Sequence, residues 1–232
     1  MVSAPINNPL TTGPTRPALL DRLLAGVGIR AAEKTLVGLL FGNMFMAGLA
    51  IGIIRVCAFT LFLEHFASEQ LAVVAILLAL TGTLVTVILG RITRGFSPRD
   101  YIYTVLGTIF LGVLTVRLLL GATDSKILIF TLPLFFEVVY MLFSLQFMAL
   151  LTRLLNVRET KRLSGLAHSG EFLAEMVGGL SIALLLNYMG VPDLLLVAAV
   201  AIVGVFLISA ASLIEPLHDA IKRNAQKNRS HP

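Results

Sequence analysis

The sequence predicts an all-α membrane protein of six transmembrane helices, with both termini in the cytoplasm. Three observations predict it. The 232 residues are 57% hydrophobic and only 13% charged, with mean hydropathy +0.91, whereas an ordinary soluble domain is about 25% charged. The apolar residues gather into runs of about twenty or more, the length that crosses a hydrocarbon core of about 30 Å at 1.5 Å per residue. Lysine and arginine fall almost wholly between alternate runs, as they do in cytoplasmic loops.

This composition excludes several classes of function. Six spans with short loops use nearly the whole chain and leave no length for a soluble catalytic domain. A net charge of +5 would suit nucleic acid if the basic residues shared one face of a folded domain; here they are scattered among loops, so no nucleic-acid partner is expected. The single cysteine, Cys57, lies inside the first apolar run, which rules out a disulfide framework and a thiolate zinc site. There is no phosphate-binding glycine loop with a lysine, no HExxH, and no serine with a nearby base in a recognisable motif. His65, His218 and His231 fall in loops or tails. The expectation is a protein that is not an enzyme and carries no cofactor.

Taken in order, Met1 to Arg16 is polar and proline-rich and lacks the early charge and cleavage site of a secretory signal, so residues 1–18 read as a disordered cytoplasmic tail. Residues 19–34 place Leu19, Leu20, Leu23, Leu24 and Val27 at helical spacing, with Arg22, Arg30 and Lys34 elsewhere. This describes an amphipathic helix at the membrane interface. The six-helix domain covers residues 35–214. Span one runs from about Thr35 to Phe62, span two from Leu71 to Leu89 and span three from Tyr101 to Leu120. Span four runs from Ile127 to Leu151, span five from Leu163 to Leu186 and span six from Leu194 to Leu213. Gly38, Gly42, Gly48 and Gly52 in span one, and Gly178 and Gly179 in span five, are small-residue positions that let a neighbouring backbone approach closely. Residues 215–232 form a basic cytoplasmic tail.

Orientation follows from the cations. Arg16, Arg22, Arg30, Lys34, Arg91, Arg94, Arg99, Arg153, Arg158, Lys161, Arg162, Lys222, Arg223, Lys227 and Arg229 all fall on one side, fifteen of the eighteen. Lys126 alone falls on the other, with Glu64, Glu69, Asp124 and Asp193, and Arg55 and Arg117 lie within spans. Termini that share the basic side require an even number of spans. The location this implies is the cytoplasmic (inner) membrane of a bacterium, with the lipid bilayer as the first partner.

Several segments carry a family resemblance. They are Phe62-Leu63-Glu64-His65-Phe66-Ala67-Ser68-Glu69-Gln70-Leu71 outside span one, Gly28-Ile29-Arg30 with Glu33 before it, and Glu137-Val138 with Gln146-Phe147 and Ala149 in span four. The longest is Arg158-Glu159-Thr160-Lys161-Arg162-Leu163-Ser164-Gly165-Leu166, followed by a small-residue helix ending in Gly178-Gly179. In order and spacing these resemble the first half of the ATP/ADP translocases of plastids and intracellular bacteria, carriers with a twelve-span, major-facilitator-like fold. The family places a lysine, a proline and an arginine-aspartate pair near the outer end of span one. This chain reads Arg55-Val56-Cys57-Ala58-Phe59 there, so one cation persists. The resemblance implies half of a major-facilitator fold, and a transport function in which the chain pairs with itself or with a second membrane subunit.

Ionisable side chains inside the bilayer are costly and usually face the bundle interior or a water-filled path. Counting from Leu163 at 1.5 Å per residue, His168 lies about 8 Å deep, Glu171 about 12 Å and Glu175 about 18 Å. The three share one helical face. Glu137 and Asn43 fall at about 15 Å in their own spans. Asn43, Arg55, Glu137, His168, Glu171 and Glu175 are therefore the candidate pathway for a small-molecule or ion substrate. Two glutamates one turn apart repel when both are ionised, so at least one is expected to be protonated or paired. The alternative is that each group merely hydrogen-bonds between helices. A His-x-x-Glu-x-x-x-Glu row also suggests a metal, but it lacks a recognised ligand motif, and none is expected. For Arg55 and Arg117 the plain reading is snorkelling to the headgroups; for Arg55 the resemblance adds an anion ligand or a partner for Glu137. The leading function is a half-size transport protein. The competing one is a non-transporting sensor, anchor or assembly subunit.

Overall fold

Six α-helices follow one another along the described residues: α1 (Lys34–His65), α2 (Leu71–Ile92), α3 (Pro98–Ala122), α4 (Lys126–Leu154), α5 (Val157–Leu185) and α6 (Leu194–Arg229). The computed structural model describes residues 34–92, 97–123, 125–155 and 157–229, and no strand occurs among them. The expected tail at 1–18, the interfacial helix apart from Lys34, and residues 93–96 of the basic loop lie outside the described residues. The basic stretch from residue 215 continues α6 as helix through Arg229.

Five helices are long and apolar enough to cross a membrane: Thr35–His65, Ser68–Arg91, Arg99–Ala122, Lys126–Leu154 and Val191–Ser212. They coincide with expected spans one to four and six. Expected span five lies in α5, which has the length, at 29 residues, but not the composition. His168, Glu171, Glu175 and the glycines dilute its apolar content, and it is not among the five.

Local chemistry sets the helix ends. Ser97 caps α3, accepting the Asp100 backbone N–H at 3.3 Å and donating its hydroxyl to Asp100 Oδ2 at 2.7 Å, with Pro98 at the first turn where its missing N–H costs nothing. Rings fasten the end of α1 to the start of α4: Phe62 lies 5.0 Å from Phe66 and 5.8 Å from Phe130. Across the same layer, Cys57 Sγ donates to the Val191 carbonyl at 3.4 Å, and Arg117 of α3 pairs with Asp193 in the turn before α6. Arg117 is thus held by a carboxylate, where a snorkelling side chain was expected.

Helix α1 is the centre of the bundle. Of its most apolar stretch 61% is buried, against 11% for α2, which packs chiefly on α4 and leaves Ile76, Leu80 and Leu84 exposed. Helix α4 buries Ile129, Leu132, Phe136, Val139, Phe143, Phe147 and Leu150, a three-and-four spacing that turns one stripe inward. Helix α3 fills the space between α4 and α6.

Helices α1 and α5 approach closely, and the approach depends on missing side chains. A Cβ at Gly170 would lie 2.5 Å from the Phe41 carbonyl oxygen, and one at Gly48 would lie 2.9 Å from Ala174 Cβ and 3.0 Å from Glu171 Cα. Gly178 faces Leu49 at 3.3 Å, and Gly42 meets only the Ile208 side chain at 3.6 Å. Gly38, Gly52 and Gly179 have nothing within 4 Å. Small residues at helical spacing mark a face that can be approached, and here only part of that face meets a neighbour.

Candidate functional site

The α1–α5 approach places the ionisable side chains. With Gly48 against Glu171 Cα, the next turns of the two helices run together, and Arg55 reaches across to form an ion pair with Glu175. At 1.5 Å per residue, Arg55 lies about 15 Å from the His65 end of α1, and Glu175 about 15 Å from the Leu185 end of α5. Both therefore sit well away from the ends of their helices. The carboxylate that Arg55 meets is Glu175 of α5 and not the Glu137 that the resemblance offered, because Glu137 lines a different groove, against α2. One turn back, Glu171 Oε2 stands 3.6 Å from His168 Nδ1, and the His168 ring lies edge-on to Phe147 of α4 at 5.0 Å.

These groups are not sealed. The side chains of Arg55 and Glu175 remain 45% and 36% exposed. They open onto a groove of about 440 Å³ between α1, α4 and α5, lined by Arg55, Glu171, Glu175 and four rings, Phe59, Phe136, Tyr140 and Phe172. Phe59 meets Phe136 edge-on at 6.1 Å, and Phe136 stacks on Tyr140 at 6.2 Å, so three of the rings form one continuous wall. Each helix contributes an i, i+4 pair: Arg55 and Phe59, Phe136 and Tyr140, Glu171 and Glu175. That spacing is visible in the sequence, but rings at helical spacing in an apolar run carry no functional signal of their own.

Glu137 follows Phe136 on α4 but turns the other way. It lines a second groove of about 450 Å³ with Gly82, Thr83, Thr86 and Met141, between α4 and α2. A Cβ on Gly82 would lie 3.6 Å from Glu137 Oε1, an ordinary van der Waals contact, so the carboxyl rests against α2 at this turn. The first groove thus sets two carboxyls beside one guanidinium, and the second holds the Glu137 carboxyl with no cation among its described lining residues.

Asn43 belongs elsewhere. It is fully buried between α1, α4 and α6, where its Nδ2 donates to Ser209 Oγ at 2.8 Å and to the Val205 carbonyl at 3.4 Å. Gln146 Nε2 donates to the same hydroxyl at 3.2 Å. The depth expected for Asn43 is compatible with this place, but its face is not that of the groove. Ser209 was missed because a lone serine in an apolar helix carries no signal of its own.

Among the described residues, no group of three or more His, Cys, Asp and Glu side chains is arranged to hold a metal ion. The structure thus brings Arg55, Glu171 and Glu175 together with His168 beside them, sets Glu137 in an adjoining groove, and leaves Asn43 apart. Comparison with protein-family models, curated proteins and solved structures finds no match to this chain.

Proposed function

We propose that the chain is a membrane transport subunit: one six-helix half of a major-facilitator-like carrier that works as a dimer or with a second membrane subunit. One observation carries this reading. An ion pair and two further carboxyls stand at mid-depth in an apolar bundle, beside grooves that remain open. A purely structural ion pair at that depth would be enclosed, because partial exposure to hydrocarbon leaves part of the cost of burying charge unrecovered. Exposure at Arg55, Glu171, Glu175 and Glu137 is tolerable where the exposed side faces water or another protein surface, as in carriers whose substrate lies between two bundles.

On this reading α5 is the sixth span, shielded by its contact with α1, and both termini lie in the cytoplasm of a bacterial cell, as the distribution of lysine and arginine favours. The likeness of the Arg158–Leu166 segment to the ATP/ADP translocases supports the same architecture. Flux in proteoliposomes tests it. The purified protein, together with any co-purifying membrane chain, is expected to move a solute down an imposed gradient, and Glu171→Gln and Glu175→Gln to abolish that movement while insertion is retained. A stable monomer that moves no solute in a broad panel would leave the non-transporting anchor as the better reading.

A further inference from the structure

We propose that the groove between α1, α4 and α5 binds an organic ammonium ion. This rests on the transport reading only for its biological meaning, since binding can be measured without flux. The first argument is charge. Arg55, the one cation lining the groove, is already engaged by Glu175, so Glu171 is left as the charge without a guanidinium partner. A polyphosphate or carboxylate would have to break the Arg55–Glu175 pair and then sit beside two carboxylates. A cation meets Glu171 without breaking the Arg55–Glu175 pair, and its neighbour there is the His168 ring, whose Nδ1 stands 3.6 Å from Glu171 Oε2.

The second argument is the wall. Phe59, Phe136, Tyr140 and Phe172 give the groove four ring systems, and ring faces attract a cation within about 6 Å, most strongly when it is desolvated. An inorganic cation would be poorly served, because calcium and magnesium take about six or more oxygen ligands, whereas the lining offers two carboxylates, one of them engaged, and a single phenol. An ammonium with apolar substituents matches both carboxylate and rings. The volume of about 440 Å³ is that of a small organic ligand, whose sites run to roughly 300–1,000 Å³.

Ammonium groups also occur on lipid headgroups, and depth separates the two sources. Glu171 lies about 12 Å below Leu163, where the apolar part of α5 begins after the charged residues 157–162, deeper than a headgroup held at the interface. The occupant is therefore a free solute.

The test uses the full chain in nanodiscs of phosphatidylglycerol, which lacks an ammonium group, and isothermal titration with three probes of similar size: benzyltrimethylammonium, benzyl alcohol and benzoate. Benzyltrimethylammonium is expected to bind at least about tenfold more tightly than benzyl alcohol, the scale of one charge-assisted contact, and benzoate not to bind. Glu171→Gln should remove about that factor, and Tyr140→Leu a further two- to fivefold or so. Glu175→Gln releases Arg55 and should reverse the preference, weakening the cation and admitting benzoate. The probe comparison on the unaltered protein needs no variant to fold. Equal affinity for the cation and the alcohol, or a Glu171→Gln protein that keeps the full preference, would overturn the proposal. Loss of probe binding in phosphatidylethanolamine discs would overturn the free-solute assignment. A chain that binds the cation but moves no solute would leave this inference standing and remove the transport reading.

Discussion

Gly170→Ala is expected to be among the most damaging single-methyl additions in the bundle. The new Cβ would begin 2.5 Å from the Phe41 carbonyl oxygen, 3.2 Å from the Phe45 nitrogen and 3.3 Å from Met44 Cβ. The first two are backbone atoms of α1, so no rotamer change relieves the contact, and a comfortable distance requires α1 and α5 to separate by about 1 Å, given that nonbonded contacts settle near 3.5 Å. Overpacking of this kind costs typically 1–3 kcal/mol. Alanine returns about 1 kcal/mol of helix propensity, so the net loss is up to about 2 kcal/mol. The separation also pulls Glu175 away from Arg55, so the groove should change together with stability. Gly179→Ala is the matched control on the same helix: nothing lies within 4 Å of its Cβ, and the propensity gain stands alone. Reversible unfolding of both variants in mixed detergent micelles measures the difference. Equal stability of Gly170→Ala and Gly179→Ala would refute the claim that backbone contact, and not glycine content, holds α1 to α5.

Ser209→Ala should cost about 1–3 kcal/mol, because it strands the buried N–H donors of Asn43 and Gln146. Ser212→Ala, whose hydroxyl only donates to the Ile208 carbonyl of its own helix at 2.8 Å, should change melting in the same micelles far less. Arg55→Gln and Glu175→Gln should be strongly non-additive in a double-mutant cycle of stability, the double variant being less damaged than the sum; strict additivity would mean that the pair does not form in the membrane. Reporter fusions at Ser68, Asp124 and Asp193 should lie outside and those at Pro98, Val157 and the C-terminus inside, and a single reversed site would sink the six-span topology.

Helix positions were legible in the sequence because the bilayer imposes one simple demand, an apolar run of sufficient length, and five runs meet it plainly. Helix α5 meets it poorly, and its place could be read only from its polar row and its small residues. Which helices are neighbours was not legible. The pairing of Arg55 with Glu175 could not be read, because hydropathy records depth along one helix and says nothing of the helix opposite, and the resemblance offered only an anion or Glu137. The same gap separated Asn43 from the groove: its depth was readable, while the face it presents depends on α6, whose Ser209 gives no periodic signal. Gly170 was overlooked for a related reason, since it lies outside the glycine pairs that a spacing rule selects.

The α1–α5 contact has a consequence for how the chain enters the membrane. Arg55 and Glu175 are 120 residues apart in the chain, and at 5–20 residues per second the ribosome delivers the second about 6–24 s after the first. During that interval Arg55 has no counter-ion, and α5, when it emerges, is a poor candidate for insertion on its own merits. If α5 spans the membrane as proposed, the first helix must stay near the site of synthesis until the fifth arrives to share its charge. Insertion of α5 is then a docking event as much as a partitioning one. An α5 segment presented to the insertion machinery alone should pass through or stall, and one presented with α1 already in place should integrate, with Arg55→Leu and Gly48→Leu each removing the benefit.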